Sequence, residues 1–112
     1  MVERRREERF TVNAPIKWEN NNRVIEALTK DISYSGVFIE TLAPCNLRDV
    51  INVALPIGND LLEIEGEVRW IRQDEDGNAT GMGIYFLREL SEKETQAVTL
   101  MISRSSTETL VG

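Results

Sequence analysis

Two groups of side chains have the types and spacing for recognition chemistry. Arg5 and Arg9 stand four residues apart in a charged segment, and Asp31, Ser33 and Gly36 follow within Asp31-Ile32-Ser33-Tyr34-Ser35-Gly36. Arginine presents a planar fork of donors that pairs with a phosphate or with the O6/N7 edge of guanine, and its flat face stacks on a base. A carboxylate supplies what arginine lacks, an acceptor for the N1 and N2 donors of guanine. Ser33 and the backbone near Gly36 can meet a phosphate or ribose oxygen. One acceptor plus several arginines is an inventory suited to a guanine nucleotide. The plainer reading is that Asp and Ser before Gly are ordinary turn formers, and that a mixed-charge segment is a solvated tail.

The elements that must position these groups can be read from periodicity. Residues 1–9 are densely charged, with four arginines against three glutamates, and form a surface arm at +1 on a body that carries −7. Phe10, Val12, Ala14, Ile16 and Trp18 recur at period two and predict a half-buried strand, in which Pro15 suggests an edge or a bulge. Residues 19–22 are loop-forming, and a second strand is expected over about residues 23–33. If that strand runs on unbroken to Ser33, Thr29, Asp31 and Ser33 share one face. Gly36 then marks a turn into a third strand at residues 37–39, either through positive φ or by letting another group approach the main chain.

Residues 41–49 read as a loop and residues 50–56 as a fourth strand. Leu62, Ile64, Gly66, Val68 and Trp70 alternate with Glu63, Glu65, Glu67 and Arg69, giving a fifth strand with a charged outer face. Gly66 inside it suggests a bend or bulge. A hairpin connection at residues 73–78 leads to a sixth strand over residues 79–87, where Gly81 and Gly83 mark close backbone approaches. Ser91 and Glu94 form a capping box at the start of a helix whose apolar face carries Ala97, Val98, Met101 and Ile102. The Ser- and Thr-rich end is expected to fray. Six antiparallel strands and one helix predict a mainly β chain folded as a small closed or nearly closed barrel.

The whole chain limits the possibilities further. A length of 112 residues supports one domain and one core. The segmentation expected is an arm at 1–9, a barrel and helix at 10–104, and a frayed tail at 105–112. A net charge of −6 with only three lysines argues against binding a nucleic-acid polymer. Neither a membrane-spanning run nor a secretion signal is evident, so a cytoplasmic location is expected. With no histidine and only Cys45 as a thiol, there is almost nothing to build a zinc or haem site or an internal disulfide.

Arg5-xxx-Arg9 together with Asp31-x-Ser33-xx-Gly36 resembles the PilZ domain, a bacterial receptor for cyclic di-GMP. The resemblance takes in the arm, the strand-turn-strand around Asp31, residues 66–70 and 83–86, and the terminal helix. It implies a split six-stranded barrel with a C-terminal helix, and no enzymatic activity or cofactor. Arg5 and Arg9 would engage the guanines and phosphates, Asp31 would read a guanine edge, and Ser33 and Gly36 would complete the receiving turn. Arg4, just before the first motif, is implied as a further contact that accompanies a stacked ligand pair. Trp70 falls where related sequences place a contact residue, although its alternation also fits a core filler. Glu7 and Glu8 depart from the family pattern, where an aromatic or apolar residue is frequent. The expectation is a monomeric sensor whose arm orders on ligand and signals to an unidentified downstream protein. Three other readings compete with it: an adaptor with the barrel but no nucleotide, an enzyme, and an oligonucleotide-binding barrel. The intact arginines oppose the first, the missing acid-base pair the second, and the acidic balance the third.

Overall fold

Alternating apolar positions form six strands, and a capped amphipathic segment forms one helix. The computed structural model describes residues 9–20 and 23–111. The strands are β1 (Phe10–Asn20), β2 (Arg23–Ile32), β3 (Gly36–Glu40), β4 (Val50–Ile57), β5 (Asp60–Gln73) and β6 (Ala79–Phe86), followed by α1 (Glu92–Val111). They close in the order β1-β2-β3-β6-β5-β4, and every pairing is antiparallel. The mainly β barrel with a C-terminal helix is the architecture that periodicity predicts.

The barrel interior is filled by inward side chains from every strand, among them Val12, Ile16, Ile32, Ile39, Val53, Leu55, Ile64, Val68, Met82 and Ile84. Such burial is worth about 1.5–3 kcal/mol for each large apolar side chain. Trp18 is buried as well, and among the described residues its indole nitrogen finds no hydrogen-bond partner. Ala97, Val98 and Met101 bring α1 against this core, where it contacts β1 and β4.

The helix start forms as a reciprocal cap. The Glu94 amide donates to Ser91 Oγ at 3.2 Å, and the Ser91 amide donates to Glu94 Oε1 at 2.8 Å. Arg88 adds two bonds of 2.7 Å from Nη1 and Nη2 to the two Glu94 oxygens. At its far end α1 runs on to Val111. Ser and Thr lose less than about 0.7 kcal/mol per residue against Ala in a helix, and no Gly or Pro interrupts the run before Gly112.

Closure rests on a short seam. The β1–β4 ladder spans residues 17–19 against residues 52–54, whereas β4 and β5 pair continuously from residue 50 to residue 67. Pro15 lies beyond the seam, opposite Leu28 on β2, on a stretch of β1 that is edge-like towards β4. A register shift between Thr11 and Ala14 precedes it in the same strand. The bulge suggested at Gly66 is absent, because Gly66 pairs in register with Ile51 and Phe86. A Cβ there would instead collide with the Ile84 side chain, so close packing explains the glycine.

Candidate functional site

The corner that links β2 to β3 is built by short polar contacts. The Ser33 amide donates to the Gly36 carbonyl at 2.9 Å, and the Ser35 amide donates to Ser33 Oγ at 3.2 Å. Ser33 is buried, so its hydroxyl shapes the turn from within. The Phe86 amide donates to the Ser35 carbonyl at 2.8 Å and ties the corner to β6. Gly36 has no positive φ; its need is proximity, since a Cβ would strike the Ile84 carbonyl oxygen across the ladder. Of the two reasons that permit a glycine there, close approach is the one that applies.

Thr29 does not join Asp31 and Ser33 on their face, which corrects the unbroken-strand expectation. The β2–β3 register shifts between Thr29 and Asp31, so Lys30 is an extra residue and the alternation changes phase. Thr29 is fully buried, where its hydroxyl donates to the Phe38 carbonyl at 2.7 Å and serves the strand irregularity. Asp31 is turned outward, with its side chain 38% exposed.

At that point Arg9 meets it. Arg9 Nε donates to Asp31 Oδ1 at 3.2 Å, joining the residue just before β1 to the corner after β2. Beside the pair opens a cavity of about 470 Å³, inside the about 300–1,000 Å³ range of small-molecule sites. Arg9, Asp31, Ser33, Ser35 and Gly36 line one part of it, and Val37, Trp70, Gly83, Ile84 and Tyr85 the other. Five of the seven residues singled out from the sequence therefore border one concavity. Arg4 and Arg5 lie outside the described residues, as does the rest of the arm before Arg9.

Trp70 reaches the cavity through a second change of phase. Val68 pairs with Ile84 and Trp70 with Gly83, so Arg69 is an extra residue in β5. Strict alternation from Leu62 would send the indole inward with Val68; the bulge sends it outward, 37% exposed, and puts Ile71 against the core instead. The core-filler reading of Trp70 therefore does not hold. Gly83, read from the sequence as a packing residue, does that work on the outer face: a Cβ there would collide with the indole ring.

Tyr85 is an aromatic cavity residue that the sequence reading missed. Its ring is 48% exposed with the Arg69 guanidinium 5.0 Å from its centroid. The signal was available, because Met82, Ile84 and Phe86 alternate inward and leave Gly83 and Tyr85 facing out. Among the described residues, the cavity is lined by one cation, one carboxylate, two serines and two aromatic side chains, a set that can receive a planar heterocycle carrying an anionic group.

A closed six-stranded antiparallel barrel with a capped C-terminal helix and a polar, aromatic-walled concavity on its flank defines a small β-barrel domain with a cavity of small-molecule size. The chain belongs to the PilZ domain family, whose model matches residues 3–103. No curated protein matches the chain. Among solved structures it is similar to the inhibitor of motility MotI/DgrA from Bacillus subtilis, with a TM-score of 0.71 at 17% identity over 95% of this chain and 53% of that one. It is also similar to the PilZ domain of YcgR from Escherichia coli, solved with c-di-GMP, with a TM-score of 0.68 at 16% identity over 96% of this chain and 98% of that one. A third is PlzA from Borreliella burgdorferi in complex with c-di-GMP, with a TM-score of 0.67 at 15% identity over 88% of this chain and 41% of that one. The chain thus spans about half the length of MotI/DgrA and less of PlzA.

Proposed function

We propose that this domain is a receptor for cyclic di-GMP that makes and breaks no covalent bond. The observation that carries the reading is the Arg9–Asp31 pair at the rim of the cavity, because it brings the second arginine of Arg5-xxx-Arg9 to the acid of Asp31-x-Ser33-xx-Gly36. Membership of the PilZ family supports it, as do the two similar structures that hold c-di-GMP.

The pair is a resting arrangement in which each charge satisfies the other. Ligand exchanges it: Arg9 turns to a phosphate or a guanine O6/N7 edge, and Asp31 accepts from guanine N1 and N2. Ser33 and Gly36 hold the corner open at the right angle, and Trp70 offers its face to a base. Arg4 and Arg5 supply further contacts from the arm. Ordering of that arm over the cavity alters the surface that a downstream protein meets.

Calorimetric titration with cyclic di-GMP tests this reading. Binding by the parent chain is expected, with a loss of at least about tenfold in Arg9→Ala and in Asp31→Ala, in line with about 1–3 kcal/mol for a well-made base contact. Absence of heat with the parent chain, or unchanged affinity in both variants, would reject it in favour of an adaptor that works without nucleotide.

A further inference from the structure

The outer face of β6 has no side chain at two successive outward positions, Gly81 and Gly83, and an aromatic ring lies on each. A Cβ at Gly81 would run into the Phe38 ring, with Cε2 at 2.8 Å, and one at Gly83 into the Trp70 indole, with Cδ1 at 2.7 Å. The two rings are stacked, with centroids 5.2 Å apart and planes inclined by 23°. Over the Phe38 ring also sits the Arg72 guanidinium, 4.5 Å from its centroid. It is anchored in turn: Nε donates to Thr80 Oγ1 at 2.8 Å, Nη2 donates to the Thr80 carbonyl at 3.5 Å, and Glu40 stands 3.7 Å away.

Three planar groups thus run in series over bare backbone from an anchored cation to the cavity, and only the last of them lines it. Phe38 is buried, yet it stands apart from the cluster of inward side chains that fills the barrel, so the interior does not account for it. From this series we infer that Arg72 and Phe38 are positioning residues, which hold the Trp70 indole at a fixed height and tilt as the stacking wall for a purine. Gly81 and Gly83 are the clearance that lets the rings come down against the strand. The inference rests on the cyclic di-GMP reading and adds to it a determinant of affinity remote from the ligand. An indole already fixed has little rotamer freedom left to lose, and releasing it is expected to weaken binding about tenfold.

The test uses the full chain carrying Trp18→Phe, which leaves Trp70 as the one tryptophan. Acrylamide quenching of its fluorescence is measured without ligand, and cyclic di-GMP affinity by calorimetry, in that parent and in Gly83→Ala, Phe38→Leu and Arg72→Lys. Gly83→Ala adds one methyl to the outer face and spares the interior, so its far-ultraviolet circular dichroism should match the parent. Arg72→Lys keeps a charge beside Glu40 and loses the plane. Quenching about twice as efficient, with affinity about tenfold weaker in Gly83→Ala and in Arg72→Lys, is expected. A parent that binds while both variants quench and bind as it does would overturn the positioning role and leave the receptor reading standing. A parent that gives no heat would overturn both.

Discussion

Asp31 and Arg9, as the proposed recognition pair, allow recognition to be separated from stability. Their contact is exposed on both sides, and pairs of that kind contribute about 0–1 kcal/mol to folding. Arg9→Ala should therefore shift the urea-derived unfolding free energy by less than about 1 kcal/mol while it removes most cyclic di-GMP binding; a comparable loss of both would mean that the residue is structural. Glu94 is the opposite case. Its two bonds from Arg88 hold the buried carboxyl down to about 2 from an ordinary 4.5, helped by the Ser91 contacts and opposed by burial. The folded state thus binds fewer protons than the unfolded chain, so the contribution is complete above pH 4.5 and is lost as pH falls towards 2. In a series of thermal melts the parent should lose stability more steeply across that window than Glu94→Gln. At pH 7 the same variant should melt about 5 °C lower, through the weakened cap and ion pair.

At the scale of elements, the strands and the helix cap were legible in the sequence because alternation and the Ser91-xx-Glu94 spacing are local signals. The register shifts were not. An extra residue at Lys30 or Arg69 leaves no mark in composition, because the choice to bulge depends on the partner strand and on what fills the space beneath. These two residues nevertheless decide the site: one turns Asp31 away from Thr29, and the other turns Trp70 away from Val68. Phe38 was obscured for a related reason, since β3 buries three successive residues, Val37 and Ile39 inside the barrel and Phe38 beneath its planar neighbours outside. The Thr29 hydroxyl bonded to the Phe38 carbonyl is what supports the irregularity in β2. Thr29→Val keeps the shape and removes that buried bond, and chemical denaturation should show it less stable by about 1–2 kcal/mol. A neutral result would mean that the carbonyl finds another donor.

For the whole molecule, the ring is only as tight as its shortest ladder. Opening the seam between β1 and β4 breaks the pairing of residues 17–19 with 52–54 and leaves the longer ladders of β5 intact. Hydrogen exchange followed by NMR should therefore find those amides of residues 17–19 and 52–54 that bond across the seam about tenfold less protected than the amides of residues 66–71 that bond to β6; equal protection would show that the barrel opens as one unit. The seam also bears on how another protein can dock. Where β1 and β4 diverge, β1 residues 10–16 have no ladder partner on that side, and Pro15 and Pro56 remove two of the donors that an incoming extended strand would need there. Missing donors at that opening disfavour strand addition, so a downstream protein of the proposed receptor is expected to recognise side chains and contour, and to do so only while those side chains hold their posture.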